Sequence, residues 1–147
     1  MTRLPRGAWV MVGDGEKALF LENIGDEKDI NLAVVRTVEH ENPPTREQGS
    51  DRPGRYNDAV SVHRSAVQDT DWHHLEKERF AKEIADRLYK AAHSGRYKHL
   101  VIAAPPFILG ELRKELHKEV RDRLLLELDK ELTKLPVHEI EARITAA

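Results

Sequence analysis

The stretch HLVIAAPPF, His99 to Phe107, passes from a β-branched apolar run into a pair of prolines with no turn between them. His99 to Ala104 reads as a strand, and Pro105-Pro106 suits the first turn of the helix that follows, FILGELRKELHKEV. A strand that feeds straight into a helix cannot return by a hairpin. The chain has to cross over a sheet, which commits this half of the sequence to α/β architecture with a right-handed connection.

The first forty residues follow another rule. Trp9 to Val12 is a compact apolar run ending in GDGEKA, whose Asp14-Gly15 pair signals a hairpin, and ALFLENI is the returning strand. Asn31 to His40, NLAVVRTVEH, is β-branched and bounded by turn chemistry, which makes a third strand. From Glu41 to Asp69 the periodicity disappears, so a long loop is expected over 41–70. Thr70 and Asp71 then offer N-caps to a helix with Phe80, Ala81, Ile84, Leu88 and Ala91 at helical spacing. In RDRLLLELDKELTKL, leucine content favours helix, but Leu124, Leu126 and Leu128 alternate with other residues, and Leu124 to Leu128 is read as a strand. Pro136 opens a last helix through VHEIEARI. The expected fold is therefore α/β: a single domain over 1–147 with a mixed five-stranded sheet. Three antiparallel strands precede β-α-β units, and the strand from His99 runs parallel to the strand from Trp9.

Charge and composition narrow the function. The 24 basic residues stand against 26 acidic ones, a formal charge of -2, which argues against a surface built throughout to grip nucleic acid or anionic lipid. With no cysteine there is no disulfide, thiol nucleophile or thiolate metal site. The N-terminal stretch lacks the apolar segment of a signal peptide, and no run approaches the length of a membrane helix. The cytoplasm is the expected compartment, with no membrane partner.

Several phrases, SDRPGRYNDA, RSAVQDTDWHHLEKERFAKEIADRL, VIAAPPFILGELRKEL and LELDKELTKLPVHEIEARI, resemble the bacterial family named for a protein required for attachment to host cells, over essentially the whole chain. That family is similar in turn to the middle domain of eukaryotic and archaeal peptide-release factors and of Pelota, which have a similar strand-helix order, and the mixed sheet expected here is also the arrangement of ribonuclease-H-like folds. In release factors a catalytic Gly-Gly-Gln motif precedes the long helix. Here the nearest text is Glu47-Gln48-Gly49-Ser50, so the resemblance implies a binding domain on the translation machinery without peptidyl-tRNA hydrolysis. A role in attachment would be indirect.

Two groups of residues are candidates for function. The segment REQGSDRPGRYND and its flank carry Arg46, Gln48, Gly49, Asp51, Arg52, Gly54, Arg55 and Arg64. Guanidinium groups bind phosphate bidentately and the glycines allow close backbone approach, which points to RNA; Asp51 and Asp58 beside the arginines favour instead a self-paired surface loop. The second group is the start of the expected helix: Asp71, Trp72, His73, His74 and Glu76. His73 and Glu76, or His74 and Glu78, share a helix face at metal-ligand or acid/base spacing. His73 also lies within about 20° of the direction of Ile84, which favours a core or cap histidine, and Trp72 is expected to cover the base of the loop. No catalytic residue, metal or cofactor is assigned. Three functions stay open: an RNA- or ribosome-binding domain, a phosphoesterase or metal-dependent hydrolase using Asp14 and the His73, His74, Glu76 region, and a protein-interaction module.

Overall fold

A computed structural model describes residues 2–40 and 58–147, with the backbone alone from 58 to 71. The strands are β1 (Trp9–Gly13), β2 (Lys17–Asn23), β3 (Leu32–Glu39), β4 (Leu100–Ala103) and β5 (Leu124–Leu128). The helices, among the described residues, are α1 (Asp58–His93), α2 (Pro106–Glu115), α3 (Lys118–Arg121) and α4 (Val137–Ala146). The sheet order is β3-β2-β1-β4-β5. β1 pairs antiparallel with β2 and β2 with β3, whereas β4 runs parallel to both β1 and β5, so the expected mixed five-stranded sheet is present. No helix among the described residues is long and apolar enough to cross a membrane.

Central β1 is buried along its whole length because both faces of the sheet are covered. Trp9, Met11, Leu100 and Ile102 point to one face and pack with Phe80, Ile84 and Leu88 of α1 and Leu112 of α2. Val10, Val12, Val101 and Ala103 point to the other, against Ile140 and Ile144 of α4.

Both edge strands change face midway. Leu32 and Val38 are separated by an even number of positions, which in a regular strand would put them on one side. Yet Val38 joins the core under α1 and Leu32 the core under α4. The register explains this: Phe20 opposes Arg36 but Leu21 opposes Val34, so Val35 is an extra residue. β5 repeats the device at Leu125, with Leu124 under α1 and Leu126 under α4.

Two helical expectations need correction. The loop expected over 41–70 is helix from Asp58 onward, and Thr70 and Asp71 lie inside α1 rather than capping it. The row Phe80, Ile84 and Leu88, by which the helix was recognised, marks only the second half of α1. The helix expected from Phe107 through Val120 is broken at Leu116, whose extended backbone buries its side chain. His117 then caps α3, its Nδ1 accepting the Glu119 N–H at 3.0 Å.

Where α1 ends, Tyr97 donates its phenol proton to the Leu88 carbonyl at 2.7 Å and stacks on Trp9. Burial holds that phenol well above its ordinary value, with Arg123 partly opposing the shift. Above about pH 10 the unfolded chain releases a proton that the folded chain keeps, so stability falls as pH rises. Tyr97→Phe is expected to flatten this alkaline decline in melting temperature between about pH 9 and pH 11. Equal slopes in the two proteins would assign the decline to other groups.

Candidate functional site

The segment from Arg46 to Asp58 joins β3 to α1. Arg46, Gln48, Gly49, Asp51, Arg52, Gly54 and Arg55 lie outside the described residues; Arg64 and Asp71 are on α1, with only their backbone described. The flanks of the segment can be followed. His40, the residue after β3, is fixed by its backbone N–H, which donates to the Glu16 carbonyl at 2.7 Å, and its ring lies 5.3 Å from that of Phe80. Its Nε2 lies 2.5 Å from Glu76 Oε2. The other Glu76 oxygen accepts from Arg79 at 2.8 Å, and Glu83 approaches His40 Nδ1 at 3.9 Å.

Glu76 is one of three buried polar side chains, with Asn23 and Thr133, in the described part of the chain. It is buried because it continues the row Phe80, Ile84, Leu88 by one helical turn. A carboxylate at the end of an apolar row needs partners, and His40 and Arg79 provide them. That row was the available signal; His40, read only as the end of a strand, was missed.

The helix-start cluster does not converge. It sits in the middle of α1, where Glu76 turns inward while His73 and His74 are exposed. His73 is therefore not a core histidine, and the loop it was expected to bond lies outside the described residues. His73 shares its direction with Ile84, but the inward position at this level of the helix belongs to Glu76, and His73 lies one turn beyond it. His74 instead meets the Phe107 ring at 5.0 Å. Trp72 is half-buried, with the Arg79 guanidinium 5.8 Å from its ring. Among the described residues no three His, Asp or Glu side chains are placed to hold a metal ion. Asp14 acts in its turn: one carboxylate oxygen accepts the N–H groups of Glu16 and Lys17, both at 2.7 Å, and the other accepts the Thr133 hydroxyl at 3.0 Å.

The site geometry is thus a long connection whose exit from the sheet is clamped to the helix by an imidazole and a carboxylate. In comparisons with known proteins, a family model described as "Bacterial archaeo-eukaryotic release factor family 12" matches residues 7–144. Among solved structures, an archaeal translation termination factor, aRF1, is similar with a TM-score of 0.44 and 14% sequence identity, over 82% of this chain and 29% of that one. The chain therefore spans less than a third of that factor's length. No curated protein matches the sequence.

Proposed function

The chain belongs to the bacterial archaeo-eukaryotic release factor family 12, and on that footing we propose that it is a non-enzymatic binding domain that engages RNA on the translation machinery. The contacting element is the segment between β3 and α1, which offers Arg46, Arg52 and Arg55 with Gly49 and Gly54 between them. One observation supports the reading: the clamp of His40 on Glu76 fixes the point at which this segment leaves the sheet. Anchoring reduces the ordering cost of binding. Glu47-Gln48-Gly49-Ser50 lacks the paired glycines and following glutamine of a peptide-releasing loop, which supports binding without hydrolysis. On this reading the protein acts in the cytoplasm, and any contribution to attachment to host cells is indirect.

The test is a salt titration of binding to single-stranded ribosomal RNA fragments by the wild type and the Arg52→Ala, Arg55→Ala double variant. The variant is expected to bind more weakly and to lose about 0.7 in the log-log salt slope for each phosphate contact removed. Equal affinities and slopes would reject this segment as the RNA contact. Retained ribosome association with no RNA binding would turn the reading toward a protein partner.

A further inference from the structure

A second site lies on the α1 face of the sheet, at the other end of the helix from the β3–α1 connection. It is a pocket of about 300 Å³, at the low end of the size range of small-molecule sites. Four cations line it: Arg36 from β3, Arg87 and Lys90 from α1, and Arg96 from the turn that follows. Among the described residues none that lines it is acidic. In a chain with a formal charge of -2, such a grouping has to be explained.

One explanation is helix stabilisation, because cations near a helix C-terminus complement its dipole. That accounts for Lys90 and for His93, which does not line the pocket. It does not account for Arg36, which comes from another element, or for Arg87, nearly two turns before the helix ends. Among the described residues, intramolecular pairing is incomplete as well. Arg87 reaches Glu83 at 3.4 Å and Lys90 reaches Asp86 at 3.0 Å. All four groups are at least one-third exposed, so an anion can compete with these pairs.

The bulge at Val35 aims the site. It sets Arg36 opposite Phe20, on the α1 face, and brings the half-exposed Val35 to the rim. Trp9 and Phe20, both almost fully buried, close the apolar floor. An apolar floor beneath guanidinium groups suits a molecule with a flat apolar body and a phosphate, since guanidinium groups bind phosphate bidentately. We propose that this pocket binds the phosphate of a nucleotide, either a free nucleoside 5′-phosphate or the 5′-phosphorylated end of an RNA. The inference does not depend on the role of the β3–α1 connection.

The test uses the full chain carrying Trp72→Phe, which leaves Trp9 on the pocket floor as its only indole. Adenosine 5′-monophosphate is expected to change Trp9 fluorescence saturably, and adenosine is not. Arg36→Ala with Arg96→Ala should weaken that binding about tenfold or more, since two charge-assisted contacts are lost. Both arginine side chains are exposed, so the melting temperature without ligand should hardly move. A pair of short RNAs, one 5′-phosphorylated and one 5′-hydroxyl, identifies the source. Tighter binding of the phosphorylated RNA than of the free nucleotide assigns the pocket to an RNA end; the reverse assigns it to a free nucleotide. Equal binding of adenosine and its phosphate, no saturation at millimolar nucleotide, or unchanged affinity in the double variant would each overturn the proposal.

Discussion

Asn23→Ala is expected to destabilise the fold by about 3–4 kcal/mol, among the largest losses from a single side chain in this molecule. Asn23 has no exposed surface, and its amide ties together three stretches of chain. Its Nδ2 donates to the carbonyls of Leu4 at 2.9 Å and Asp26 at 3.2 Å, with a longer contact to Pro5. Its Oδ1 accepts the backbone N–H groups of Gly25 at 3.0 Å and Asn31 at 2.9 Å. Each such bond is worth about 1 kcal/mol net, and leaving buried donors and acceptors unmade costs more than the bonds contributed. The turn has no slack to absorb the change, because a Cβ at Gly25 would already collide with the Asp29 carbonyl. Urea denaturation of the two proteins measures the difference. A loss below about 1 kcal/mol would mean that water replaces the amide.

Glu76→Ala is expected to cost about 2–3 kcal/mol, from a buried cavity and a His40 imidazole left without its 2.5 Å partner. Arg79 is more than half exposed and can turn to solvent, so its share is small. Glu76→Gln keeps the shape and a hydrogen bond, and should recover most of the loss. Hydrogen exchange separates a local effect from a global one. If the clamp fixes the end of β3, the His40 amide bonded to Glu16 loses protection in Glu76→Ala under conditions where the β1 amides keep theirs. Uniform loss of protection would show that Glu76 serves the core as a whole.

Much of the sheet could be read from the sequence because its signals are local. Asp14-Gly15 marks a hairpin, β-branched runs mark strands, and Pro105-Pro106 marks a crossover; each depends on a few neighbouring residues. The first half of α1 was not legible because Thr70 and Asp71 offered N-caps inside it and the row Phe80, Ile84 and Leu88 marks only its second half. The edge strands were half legible. Leu124, Leu126 and Leu128 indicated a strand, but alternation also implies that all three share a face, and the bulge at Leu125 separates them. His40 with Glu76, and Arg36 with Arg96, are brought together only by tertiary contact over long stretches of sequence. Spacing rules within one helix therefore nominated His73 instead.

The extra residue at Val35 also bears on how this protein behaves in a crowded solution. β3 is an outer strand whose neighbouring Val34 and Val35 are nearly half exposed, the composition from which sheet-to-sheet aggregates grow. An incoming strand needs donors and acceptors at regular intervals, and the irregularity between Arg36 and Val34 interrupts them midway along the edge. Removing Val35 would leave Arg36 opposite Phe20 and Val34 opposite Leu21 in unbroken register, and would open the edge to a second chain. The same irregularity that holds Arg36 over its pocket thus keeps one copy of the protein from templating the next.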